Sequence, residues 1–139
     1  MQILEQLASK NVNKWTINPT KEINGLKFGS DRDIVRKKFG EPKKEFKKSK
    51  YGKNTTDDYG DFHVFYNKDN ELEAIEIFSG EVSLNGKRIM PGNVKSVIDT
   101  FNGFADEAPN YINKELSVGI QSSNDGAIKS VLIGCKDYF

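Results

Sequence analysis

The sequence has one cysteine, one histidine and one tryptophan in 139 residues, and it has no long apolar run. Cys135 cannot form an internal disulfide, and a free thiol is typical of a reducing compartment. No apolar stretch approaches the roughly 20 residues that a membrane-spanning helix needs. The first seven residues lack the basic and apolar regions of a signal peptide. We therefore expect a cytoplasmic protein that does not engage membranes.

The scarcity of histidine and cysteine also limits the chemistry that the chain could perform. A zinc site needs three or four suitable ligands at short spacing, and the sequence has no such group. A Cys–His dyad would require His63 and Cys135 to meet in the fold. No GxSxG, P-loop or GxGxxG motif is present. We predict no enzyme activity, no cofactor and no metal, although carboxylates are numerous enough to leave a carboxylate-only hydrolase as an alternative.

Charge is distributed unevenly although the net charge is only +1. Residues 31–53 hold ten lysines and arginines against four acidic residues, whereas residues 54–139 hold seven against fourteen. The stretch 43–53 interleaves six lysines with Phe46 and Tyr51. Such a loop can follow a phosphate backbone and stack bases, which makes a nucleic-acid-binding module one alternative function. The acidic remainder of the chain makes nucleic acid the less favoured partner.

Similar segments recur in the same order along the chain, which predicts an internal duplication. Ile23-Asn24-Gly25 recurs as Leu84-Asn85-Gly86, and Val35 and Phe39 recur as Val97 and Phe101. The alternating pattern of 62–66 recurs at 116–120, and the apolar positions of 72–77 recur at 128–133. We therefore divide a single domain, 1–139, into an N-terminal helix and extended segment (1–21), repeat one (22–80) and repeat two (83–139).

Each repeat is predicted to contain an Asn-Gly turn, one helix and one β-hairpin. The first helix is expected to begin after Ser30 as N-cap and to end at Gly40, and the second covers 94–101. The hairpins pair 59–66 with 71–78 and 116–121 with 128–134. A short helix at 2–9 and a strand at 15–17 precede them. The predicted fold is α+β, with one antiparallel sheet and both helices on one face.

One face of the first hairpin is unusually aromatic for a solvated sheet surface. A two-residue turn at Lys68-Asp69 would place Phe65 opposite Leu72 and Tyr59 opposite Phe78, away from the core. Either the N-terminal segment with Trp15 and Ile17 covers this face, or the face is exposed and binds a protein. The predicted partner-binding residues are Asp57, Asp58, Tyr59, Asp61, His63, Phe65, Glu76 and Phe78.

The stretch Phe28-Gly29-Ser30-x4-Val35-x3-Phe39-Gly40-x-Pro42 resembles a helix motif of small bacterial repeat proteins. These include the outer-membrane assembly lipoproteins and the tandem units of β-lactamase inhibitor protein. The size and the duplication also resemble those of bacterial toxin-immunity proteins. The resemblance implies inhibition of a protein partner by a sheet face. We therefore predict an immunity protein that occludes the active site of a bacterial toxin domain or enzyme, with a basic nuclease as one candidate.

Overall fold

The computed structural model describes residues 12–47 and 54–139, which contain thirteen strands and two helices. The strands are β1 Lys14–Asn18, β2 Glu22–Ile23, β3 Leu26–Lys27, β4 Lys44–Lys47, β5 Thr55–Asp58, β6 Phe62–Tyr66, β7 Leu72–Ile77, β8 Glu81–Leu84, β9 Lys87–Met90, β10 Phe104–Glu107, β11 Asn110–Asn113, β12 Val118–Ser122 and β13 Ile128–Gly134. The helices are α1 Arg32–Phe39 and α2 Val94–Thr100. The helix predicted at 2–9 lies outside the described residues.

The strands form two sheets, so the prediction of one antiparallel sheet with helices on one face is wrong. A five-stranded sheet has the order β3-β2-β1-β8-β9, and an eight-stranded sheet has the order β10-β11-β12-β13-β7-β6-β5-β4. The strand predicted at 15–17 exists as β1, but it lies at the centre of the smaller sheet and pairs in parallel with β8. The α+β class is confirmed, and the division into two repeats stays a prediction.

The Asn-Gly dipeptides at 24–25 and 85–86 form the tight turns that the sequence predicts. Asn24 and Gly25 have φ of 52° and 78°, and they join β2 to β3. Asn85 and Gly86, with φ of 50° and 80°, join β8 to β9. Two successive positive φ angles match the right-handed twist of the flanking strands, and asparagine and glycine adopt them at the least cost.

The two long hairpins are present, but the first has a different register from the predicted one. Phe62 pairs with Ile77, two residues beyond the predicted partner Ile75. The turn is wider than two residues because the side chain of Asn67 accepts hydrogen bonds from the backbone of Asp69 and Glu71. A shift of two residues keeps the side chains of β6 on their predicted faces. The prediction for Leu72 is wrong, because a register irregularity between Phe65 and Tyr66 pairs Leu72 with Tyr66 and places it in the core.

Each helix begins at the residue directly after an isolated β-bridge, which joins Asp31 to Glu71 before α1 and Asn93 to Ala127 before α2. The first N-cap is Asp31 rather than the predicted Ser30, whose hydroxyl instead donates to the carbonyl of Lys27 at 2.6 Å. The second N-cap is Asn93, whose side chain accepts from the backbone N–H of Lys95 at 2.9 Å. An asparagine oxygen in this position satisfies one of the free amide donors of the first turn.

A single apolar core lies between the two sheets and receives side chains from both helices. At its centre the ring of Trp15 lies 5.7 Å from that of Phe39 and 4.8 Å from that of Phe62, between ring centroids. Phe39 is buried in this core, whereas Phe101, its counterpart in the sequence pattern, is only partly buried. Phe101 has left the helical conformation, with φ −116° and ψ 127°, so its side chain no longer continues the buried face of α2.

Candidate functional site

The eight-stranded sheet has one face on the core and a second face, which we call the outer face. Val64, Ile75 and Ile77 are fully buried on the core side. The alternating positions between them therefore project from the outer face. Cross-strand pairing places one continuous row of side chains there, which runs Asp58, His63, Glu76, Leu132 and Gly119.

His63 is the centre of an aromatic cluster on the outer face, formed with Phe46, Phe65 and Phe78. Its ring centroid lies 5.2 Å from that of Phe46, 6.4 Å from that of Phe65 and 4.8 Å from that of Phe78. Sequence reasoning assigned Phe46 to the lysine-rich loop and missed it as part of this cluster. Phe78 is 39% exposed, but Phe65 is only 8% exposed, so Phe65 is not the accessible anchor that we expected.

Three of the predicted carboxylates surround the aromatic cluster. Asp58 Oδ1 lies 3.3 Å from His63 Nε2, and Asp58 also lies within 3.8 Å of the ammonium group of Lys44. Glu76 is the cross-strand neighbour of His63 and accepts a hydrogen bond from Ser130 at 3.3 Å. Asp61 is exposed in the turn before β6. The outer face thus combines large apolar rings with negative charge.

Asp57 and Tyr59 do not belong to the outer face, and for these two residues the prediction of an exposed patch is wrong. We expected one strand over 59–66, but Gly60 and Asp61 form a turn that separates β5 from β6. This turn changes the face of the residues that precede it, and Asp57 pairs directly with the buried Val64. Tyr59 stacks on Phe62 with centroids 4.7 Å apart and donates its hydroxyl to the carbonyl of Gly40.

Asp57 instead forms the buried centre of an ionic cluster with Arg32, Arg36, Glu45 and Tyr66. Its Oδ1 accepts from Arg32 at 2.5 Å and from Arg36 at 2.6 Å. Its Oδ2 accepts from Arg36 Nε at 3.0 Å and from the hydroxyl of Tyr66 at 2.8 Å. Arg36 also donates to Glu45, and the guanidinium of Arg32 lies 4.4 Å from the ring centre of Tyr66. The cluster ties α1 to β4, β5 and β6.

These contacts decide the protonation of the cluster. Burial acts to raise the pKa of Asp57, but hydrogen bonds from Arg36, Arg32 and Tyr66 outweigh burial and hold that pKa below its usual value. Burial, together with the charge of Asp57, raises the pKa of Tyr66. The charged carboxylate therefore has both oxygens occupied by donors. This arrangement suits a structural role, since it leaves Asp57 no free lone pair for the carboxylate-only hydrolysis that we considered.

Trp15 and Ile17 do not cover the outer face, contrary to the alternative that we considered. Trp15 and Ile17 lie in β1, and both side chains are buried in the core between the sheets. Burial and the nearby charge of Glu73 raise the pKa of Cys135, which opposes the thiolate form that a Cys–His dyad would require. Within residues 12–47 and 54–139, no group of three or more His, Cys, Asp or Glu side chains could hold a metal ion.

The lysine-rich stretch falls partly within the described chain. Residues 44–47 form β4, the strand at one edge of the eight-stranded sheet, and residues 48–53 lie outside the description. Lys44 and Lys47 are exposed on this edge strand, where lysines discourage pairing with a strand of another chain. This role accounts for part of the positive charge of the stretch without any need for a nucleic-acid partner. Binding of nucleic acid by 43–53 stays a prediction.

Neither helix of the described chain is long and apolar enough to cross a membrane. Comparisons with protein-family models, with curated proteins and with solved structures found no match.

Proposed function

We propose that this protein is an inhibitor, of the immunity-protein kind, that binds a bacterial toxin domain or enzyme through the outer face and blocks its active site. The observation that carries the proposal is the aromatic cluster around His63, bordered by Asp58, Asp61 and Glu76. Protein-binding hot spots combine partly exposed aromatic rings with a few charges in this way. Such a protein would act in the cytoplasm, where the thiol of Cys135 stays reduced.

A basic partner fits this face best. Acidic side chains at the rim of an interface attract a cationic surface over several ångströms and accelerate encounter. The substrate groove of a nuclease is cationic because it holds phosphates. An inhibitor with Asp58, Asp61 and Glu76 around apolar anchors could therefore occupy such a groove in place of nucleic acid.

We also propose that the two halves of the chain descend from one duplicated unit. The elements β2 to β7 and β8 to β13 follow in the same order, and each set contains one helix after its first two strands. Before each helix, a carbonyl accepts a hydrogen bond from the long hairpin of the same half. The backbone N–H of Leu72 donates to the carbonyl of Ser30 at 2.8 Å, and that of Ile128 donates to the carbonyl of Gly92 at 3.0 Å. The two units meet where β7 pairs with β13, with Glu76 opposite Leu132. A duplicated unit would give the outer face two related halves.

The test uses the protein encoded by the gene immediately upstream, whose C-terminal domain is the probe. We expect that domain to bind this protein in titration calorimetry and to lose its toxic activity on binding. The variant Phe78→Glu should weaken binding at least tenfold, about 1.4 kcal/mol, because a charge replaces a partly exposed apolar anchor.

Ile34→Glu is the matched control, because Ile34 is 52% exposed but lies on α1, away from the outer face. It should leave affinity unchanged. Asp61→Lys should mainly slow association and reduce its dependence on salt. Equal losses from Phe78→Glu and Ile34→Glu would contradict the assignment of the outer face. An upstream product that neither binds nor is inhibited would contradict the proposed function itself.

A further inference from the structure

A groove lies on the outer face in the second half of the eight-stranded sheet. It has a volume of about 240 Å³ and is bordered by Ile112, Gly119, Leu132 and the ring of Phe139. A second cavity of about 450 Å³ shares Glu107, Asn110 and Ile112 with it and extends it toward β10. The groove is separate from the aromatic cluster of the first half, and none of the predicted site residues except Glu76 borders it.

Gly119 creates the space for this groove. In the cross-strand row, the neighbour of Glu76 on β6 is His63. The neighbour of Leu132 on β12 is Gly119, which has no side chain. A Cβ at position 119 would come within 3.0 Å of the ring of Phe139. The absence of a side chain lets Phe139 lie against β12, where it forms an aromatic wall beside the aliphatic Ile112 and Leu132.

Two carboxylates border the groove from opposite sides. Glu76 lies on β7 and Glu107 on β10, with β11, β12 and β13 between them. Neither carboxylate forms a salt bridge within residues 12–47 and 54–139, and neither lysine nor arginine borders the 240 Å³ groove. Lys114 borders the larger cavity, but no lysine or arginine borders the 240 Å³ groove itself, so the charge around this apolar groove is negative, which favours a cation.

We propose that the groove binds an arginine side chain of the protein partner, an inference that rests on the proposed function and specifies its second contact region. The methylene groups of the arginine pack on Leu132 and Ile112, and its guanidinium stacks on Phe139 and pairs with Glu76 or Glu107. Arginine suits this site better than lysine, because its planar guanidinium both stacks on rings and pairs bidentately with carboxylates.

The experiment needs no partner. The probe is N-acetyl-arginine methylamide, which is titrated into the ¹⁵N-labelled full-length protein while amide chemical shifts are recorded. N-acetyl-citrulline methylamide is the uncharged control of the same shape. We expect saturable shifts centred on Gly119, Gln121 and Leu132 with the arginine probe and none with the citrulline probe. Glu76→Gln and Glu107→Gln should each weaken binding, and the double variant should weaken it about tenfold or more, since charge-assisted hydrogen bonds are lost.

Glu22→Gln in the five-stranded sheet is the matched control, and it should leave the titration unchanged. Amide spectra of each variant without probe report whether the fold is intact. Shifts of equal size with both probes, shifts centred on Asp58 and Asp61, unchanged binding in the double variant, or no saturable shift would each overturn the inference. A negative result here, with the upstream product still bound and inhibited, rejects the groove and leaves the proposed function standing.

Discussion

Asp57 is the most deeply buried charged side chain of the described residues, and the second half of the chain fills the corresponding place without charge. Asp57 pairs with Val64, and Tyr111 pairs with Ile120, at the same distance from the centre of the sheet. The first helical residues are likewise Arg32 in α1 and Val94 in α2. The first half thus holds α1 to the sheet with charged groups, whereas Val94 and Tyr111 of the second half belong to the shared apolar core.

Replacement of Asp57 by asparagine should be strongly destabilising. The variant leaves two guanidinium groups without their central carboxylate, and removal of one partner from a buried ion pair costs about 3–5 kcal/mol. Urea denaturation would measure this change in the free energy of unfolding. The combined variant Arg32→Val, Arg36→Ile, Asp57→Tyr, which copies Val94, Ile98 and Tyr111, should be less destabilised than Asp57→Asn alone. The opposite order would show that the charges themselves stabilise the fold.

The depressed pKa of Asp57 also predicts how stability depends on pH. An unfolded aspartate has a pKa of about 3.9, and the folded value is lower. The unfolded chain therefore binds the proton more readily, so the stabilisation is fully present above about pH 4 and is lost as pH falls through the folded pKa. Denaturation series from pH 6 to pH 2 should show a steep loss in the native protein. The triple variant, which has no Asp57, should show a shallower slope, and an equal slope would contradict this account.

At the level of the elements, sequence patterns identified the parts with a strong apolar period and missed the polar strands. The alternating residues of β6 and β12 and the Asn-Gly turns were predictable, because burial and positive φ restrict their residue types. Strands β4, β5 and β10 were not, since KEFK, TTDD and FADE hold too few apolar residues for a period to emerge. The missed turn at Gly60-Asp61 then placed Asp57 and Tyr59 on the wrong face.

The different burial of Phe39 and Phe101 leads to a prediction about the two helices. Phe39 is 1% exposed among aromatic rings, so Phe39→Ala should cost about 3–5 kcal/mol through lost burial and a residual cavity. Phe101→Ala should cost less, about 1–2 kcal/mol, because Phe101 lies beyond the end of α2 and is only partly buried. Lys47→Ala on the exposed edge strand should change the melting temperature very little. Thermal denaturation of the three variants measures the order, and equal costs for both phenylalanines would contradict it.

At the scale of the whole molecule, β1 joins the two halves in a way that the sequence pattern did not reveal. Ile17 has Ile23 of β2 on one side and Leu84 of β8 on the other, so the same residue contacts the Asn-Gly hairpin of each half. Local periodicity predicts a strand at 15–17, but its central position depends on pairing with residues more than 60 positions away. Such long-range pairing leaves no signature within a short window.

The central position of β1 predicts that both halves unfold together. Trp15 is the only tryptophan, it is 1% exposed, and it contacts Phe39 and Phe62 of the first half from a strand that is paired to β8 of the second. Its fluorescence should therefore report the loss of the entire core, and its urea transition should coincide with that of far-ultraviolet circular dichroism, which averages over all strands and helices. In Val97→Ala, a change to α2 alone, both transitions should shift to lower urea by the same amount. A variant in which the circular dichroism transition separates from the fluorescence transition would show that the second half unfolds independently, and would contradict the assignment of residues 1–139 to one domain.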